Sequence, residues 1–119
     1  MTLTLPGTLL RAEGLALFAS AVVLYVHGDF ALWPLIVFAL APDLAALGYL
    51  AGPRIGAIAY DAAHTTVAPL ALGAAGVIWD VGWAVQVALI WAAHIGADRL
   101  LGYGLKYTTG FKDTHLQRV

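Results

Sequence analysis

Residues 82–103 read GWAVQVALIWAAHIGADRLLGY. From Trp83 to Ala93 only Gln86 interrupts the apolar run, and the stretch matches the ~20 residues that cross a hydrocarbon layer as helix. It then carries His94, Asp98 and Arg99, which a lipid-facing helix has no reason to hold. Outward from this stretch the pattern repeats. Residues 8–26, 31–50 and 55–78 are apolar runs of similar length. His27-Gly28-Asp29, Gly52-Pro53-Arg54 and Asp80 with Gly82 break them, and Gly followed by Pro is a helix stop.

Lipid offers no partners for open backbone, so the runs read as helices joined by short loops. Short loops make neighbours antiparallel. The expected fold is all-α: an integral membrane four-helix bundle, up-down-up-down, in one domain spanning residues 1–119. Ala19-Ser20-Ala21 imitates a signal-peptide cleavage site, but Arg11 and Glu13 spoil a plain basic leader, so the first run is read as a retained span. Residues 104–119 read as a polar cytoplasmic or interfacial tail, with Tyr103, Tyr107 and Phe111 at spacings of four. Trp33, Trp79, Trp83 and Tyr25 read as an interfacial aromatic belt, and Trp91 as packing.

Composition supports this class. Of 119 residues, 61% are hydrophobic and 11% charged, against about 25% charged in an ordinary soluble domain. Mean hydropathy is +0.84. A soluble domain of this size has too much surface to cover with so few polar groups. The net charge of −1 gives no pull toward nucleic acid, and with no cysteine there is neither a disulfide nor a thiolate site. Four spans place Arg11, Arg54, Arg99, Lys106, Lys112 and Arg118, every basic residue of the Lys/Arg type, on one side. Asp29 and Asp80 occupy the other. The positive-inside rule then puts both termini in the cytoplasm, in a multi-pass protein of the cell (inner) membrane.

Ionisable groups inside spans are expensive. At about 1.5 Å per residue, Glu13 lies about 8 Å from the cytoplasmic end, Asp43 and Asp61 about 10 Å, and Asp98 about 12 Å. His64 and His94 lie about 15–18 Å in. Six groups from four helices thus share one layer. Asp61/His64 are spaced i, i+3 and His94/Asp98 i, i+4, so each pair shares a helix face. Imidazoles with carboxylates suit zinc, iron or manganese, and without thiolates the site is not a closed structural zinc site. The expected divalent-metal ligands are Asp43, His64, His94 and Asp98. Asp61 is expected as general base or as the carboxylate that orients a ligand histidine. Arg54, Arg99 and Lys106 (with Lys112) would bind an anionic headgroup, and Glu13 is a weaker member. His115 is read first as part of a solvated tail, with folding back over the site as the alternative. The competing reading has each group satisfied structurally: Asp98 paired with Arg99 of a neighbouring chain, and His64 bonded to Thr65 or a carbonyl. Pro42, before Asp43, and Pro69, mid-span, are expected to kink their helices.

Three blocks carry a resemblance: Ala41-Pro42-Asp43-Leu44 with Gly48 to Arg54; Tyr60 to Pro69; and Trp91 to Arg99 with Gly102 to Leu116. Together they resemble a bacterial membrane family, domain of unknown function number 4260, over nearly the whole chain. That resemblance implies four spans and no particular activity. A more distant likeness is to membrane-bound metal-dependent hydrolases, which also place a His-x-x-x-Asp pair late in a hydrophobic helix, as His94 and Asp98 stand here. Their early His-rich segment and Asp-x-Asp-type block are missing. The functional expectation is a metal-dependent hydrolase acting on a lipid or membrane-associated substrate, with membrane lipids and a homo-oligomer as partners and nucleic acid excluded. The alternatives are an oligomeric proton, cation or small-molecule transport protein, and a non-catalytic scaffold.

Overall fold

Two prolines dictate the irregularities of the fold. Proline lacks an N–H and its ring clashes with the carbonyl four residues earlier. For Pro42 that residue is Phe38, and for Pro69 it is Thr65; the helices break at both places. The computed structural model describes residues 4–106 and 114–118. It is an all-α, four-helix bundle. The first rod is α1 (Leu5–His27), N-capped by the Thr4 hydroxyl, which accepts the Gly7 N–H at 3.1 Å. The second is α2 (Leu32–Val37) followed by a 3-10 helix, η1 (Ala41–Ala51). The third is α3 (Pro53–His64) and α4 (Val67–Ile78), and the fourth is α5 (Gly82–Leu101). A short turn, α6 (His115–Arg118), follows the tail. The expectation of one continuous helix over 55–78 is therefore corrected: Thr65 takes an extended conformation (ψ 141°) and separates two helices of 12 residues each.

Leu5–His27, Leu32–Ala51 (taken through its break) and Gly82–Leu101 are each long and apolar enough to cross a membrane. The packing is inside-out relative to a water-soluble domain. Many buried positions are small: Ala21, Ala57, Ala84, Ala88, Ala92 and Ala93, beside the larger Tyr25, Tyr60, Ile90 and Ile95. Most Leu and Val point outward, with Ile36, Leu50 and Val77 all more than 70% exposed. Hydrocarbon tails are as apolar as leucine, so outward leucines cost nothing in lipid, and small inward residues let backbones approach. These features make it a multi-pass membrane protein.

α1 packs on α5, α5 on α4, and η1 on α3. At the α1–α5 crossing Gly14 faces Gly96: a Cβ on Gly96 would stand 2.5 Å from the Phe18 nitrogen and 2.7 Å from the Gly14 carbonyl. Asp29 and Asp80 turn the chain in the left-handed region (φ 60° and 54°), which Asp tolerates better than most residues. Trp33, Trp79 and Trp83 are exposed. Tyr25 is not part of that belt. It is fully buried, its hydroxyl donating to the Ala31 carbonyl at 2.5 Å and accepting from Gln86 at 3.1 Å. Tyr107, Phe111 and Lys112 lie outside the described residues.

Candidate metal centre

The broken helices expose carbonyls, and α5 uses them. In the second rod the break leaves the Ala39 carbonyl free of a helix ladder, and His94 Nδ1 donates to it at 2.6 Å. In the third rod, Trp91 Nε1 donates to the Ala63 carbonyl, and the Arg99 guanidinium donates to the His64 carbonyl at 2.8 Å. The other Arg99 nitrogen donates to the Tyr103 carbonyl at 2.9 Å. Within α3, His64 Nδ1 donates to the Tyr60 carbonyl at 2.8 Å.

For neutral imidazoles these contacts fix both tautomers. A carbonyl only accepts, so each Nδ1 carries its proton and each Nε2 presents a lone pair. The two Nε2 atoms are 3.1 Å apart. Asp43 Oδ1 stands 3.0 Å from both. Asp98 Oδ2 stands 3.3 Å from His94 Nε2 and 3.4 Å from His64 Nε2. One donor atom from each of the four residues lies within 4.8 Å of all the others. Four ligands around an ion at bonds of 2.0–2.1 Å stand about 3.3 Å apart in a tetrahedron. The five separations just given match that spacing. Asp98 Oδ2 is buried with no hydrogen-bond partner among the described residues. His64 is fully buried and His94 nearly so, whereas the Asp43 side chain is 46% exposed, so the cluster opens on the Asp43 side.

Around the donors stands a layer that the sequence did not advertise. The Tyr60 ring stacks on the His64 imidazole, centroids 3.7 Å apart and planes 5° from parallel. Its hydroxyl hydrogen-bonds the Asp98 carboxylate. Tyr60 was missed because a tyrosine in an apolar helix reads as packing; its i, i+4 spacing to His64 was the available signal.

The remaining expected site residues are placed elsewhere. Asp61 orients neither histidine, since both Nδ1 protons go to backbone carbonyls; its carboxylate accepts the Lys106 backbone N–H at 2.6 Å. Lys106 is buried, with its ammonium 4.4 Å above the Tyr60 ring. Burial pushes the Lys106 pKa down, while Asp61, Asp98 and Asp43 pull it back up. Arg99 spends its donors on carbonyls and so positions His64. His115 folds back onto Leu105, not onto the cluster: its backbone N–H donates to the Leu105 carbonyl at 2.9 Å, and its Nδ1 accepts the Leu105 N–H at 2.8 Å. Glu13, exposed, lines a small hollow of about 250 Å³ with Thr65, Thr66, Arg99 and His115. Arg54 is exposed at the start of α3. A larger apolar hollow of about 830 Å³ between α1, α4 and α5 includes none of the four donors.

No curated protein and no solved structure matches the chain. The model of one family, DUF4260, a domain of unknown function, matches residues 7–119, which take in all four donors, both helix breaks and the returning C-terminal segment. The chain belongs to that family.

Proposed function

We propose that this protein is a membrane-embedded metalloprotein whose site performs hydrolytic chemistry on a lipid or membrane-associated substrate. Asp43, His64, His94 and Asp98 hold one divalent ion of the zinc, iron or manganese type. The observation that carries the reading is the pair of Nδ1–carbonyl bonds. In the neutral rings they turn two imidazole lone pairs toward each other and toward two carboxylates, four acceptors around one point. Ionised carboxylates out of water cost several kcal/mol each unless compensated. A divalent cation would offset that cost at the buried Asp98 oxygen while also binding the half-exposed Asp43.

Such an ion supplies a Lewis acid and water activated near neutral pH. The chain's own residues supply the rest. The Tyr60 hydroxyl fixes the Asp98 carboxylate, the Tyr60 and Ala39 carbonyls fix the two imidazoles, Arg99 holds the His64 backbone carbonyl, and the half-exposed Asp43 edge is where a substrate arrives. Lys106 brings positive charge beside the donors for an anionic group. Asp61 anchors the C-terminal segment that carries Lys106. The protein lies with both termini in the cytoplasm, so the site opens in the cytoplasmic half of the bilayer.

The test is hydrolysis of p-nitrophenyl dodecanoate and of an alkyl phosphate by purified protein reloaded with each metal. Turnover that is lost on chelation and in Asp43→Asn supports the reading. Equal rates in loaded, chelated and Asp43→Asn protein contradict it. The 3.1 Å gap between the Nε2 atoms also fits one shared proton. Proton flux in liposomes with no bound metal would therefore favour the relay reading over hydrolysis.

A further inference from the structure

A third hollow, about 400 Å³, is walled by residues next in sequence to two of the metal donors. Ala41 and Pro42, the two residues before Asp43, form one wall, and Ala63, the residue before His64, forms another. The floor is Val87, Ile90 and Trp91 of α5. Those positions precede His94 by seven, four and three residues, which places all of them on the helix face that bears the ligand. Val87 lies about 10 Å along the axis from His94. The one polar group of the lining side chains, the Trp91 N–H, is already given to the Ala63 carbonyl. The hollow thus has nothing to offer a sugar or a peptide; none of the four donors lines it, but its walls are the residues that immediately precede Asp43 and His64.

We infer that this hollow holds the hydrocarbon chain of a single-chain amphiphile whose anionic oxygen head meets the metal donors at Asp43, with Val87 setting how long a chain fits. The inference rests on the metal reading above and names its substrate class. Size agrees, since ligand pockets run about 300–1,000 Å³ and are mostly apolar. Polarity agrees as well: the hollow's walls are apolar throughout, as a hydrocarbon chain requires.

The experiment uses full-length protein loaded with cobalt, whose visible absorption reports the ligand sphere, titrated with dodecanoate and with acetate. Val87 is 43% exposed, so Val87→Trp fills the hollow without disturbing the core; Val87→Phe is the second variant should the first fail to load cobalt. The expected result is a dodecanoate shift of the cobalt band at least tenfold weaker in the variant, with the acetate shift unchanged. Micelle partitioning is the same for both proteins and cannot produce that difference. A cobalt band that dodecanoate shifts equally in wild type and variant overturns the inference and leaves the metal reading standing. So does a variant that changes oligomeric state while dodecanoate is indifferent, since the hollow is then a face between copies. No cobalt band in the wild type overturns the metal reading and this one with it.

Discussion

A histidine ligand is made by what its other nitrogen does. His64 and His94 each give Nδ1–H to a backbone carbonyl, and that single choice leaves each neutral Nε2 a lone pair facing the other donors of the cluster. The four donors were legible in the sequence because depth and helical phase are arithmetic: Asp43, His64, His94 and Asp98 fall in one layer, and the structure brings them within 4.8 Å. Asp61 shared that depth and a face with His64, but phase cannot say which of two neighbouring groups a carboxylate will meet. It meets the Lys106 N–H. Tyr60 does the outer work instead. Tyr60→Phe removes the hydrogen bond to Asp98 while keeping the stacked ring, and it should weaken metal binding by about 10–100-fold. Competition with a chelating dye reads this out, with Asp61→Asn as the comparison that leaves affinity unchanged. Equal affinity in Tyr60→Phe and wild type would remove Tyr60 from the site.

Helix breaks are the element-scale device. The sequence showed that Pro42 and Pro69 disturb their helices, but not that the breaks fall four residues earlier, where the ring would strike a carbonyl. Nor did it show that α5 would take up what the breaks release, because those partners are 28 to 55 residues away in sequence. η1 also runs 11 residues as 3-10 helix, well beyond the usual short piece, and carries Asp43 on its first turn. Pro69→Ala restores an N–H and favours a continuous third helix. Helical content by circular dichroism should rise, and metal affinity should fall about tenfold or more, as expected when outer contacts are lost. The Arg99 and Trp91 contacts to His64 and Ala63 would lose their receptors. A variant with more helix and undiminished metal affinity would show that the break is incidental to the site.

Across the whole molecule, composition alone gave the class, since outward leucines and inward alanines make sense only in lipid. The C-terminal segment was the least legible part. Its polarity read as a cytoplasmic or interfacial tail, yet Lys106 pairs with Thr114 in a β-bridge, and Thr114 and Leu116 are buried. His115 makes that docking pH-sensitive. Burial first, and the Arg99 guanidinium second, hold its pKa below the usual histidine range, against the Leu105 contact and Asp61. The docked imidazole must stay neutral to accept the Leu105 N–H. The undocked chain takes up a proton near pH 6.5 and the docked chain resists it, so docking is fully present above about 6.5 and is lost as pH falls below it. The Leu105 amide protection factor in hydrogen exchange should drop between pH 7.5 and 5; a constant factor would contradict the account. Orientation has its own check, because the chain has no cysteine of its own. A membrane-impermeant maleimide should label Asp29→Cys in intact cells and Arg54→Cys only after permeabilisation; the reverse pattern would invert the topology.

The central claim is that four converging acceptors hold a metal. Elemental analysis of untagged protein in mild detergent, beside His94→Ala, tests it most directly. The account predicts near one zinc, iron or manganese per chain in the wild type and none in the variant. No metal in either protein, even after reloading with all three ions, would contradict it.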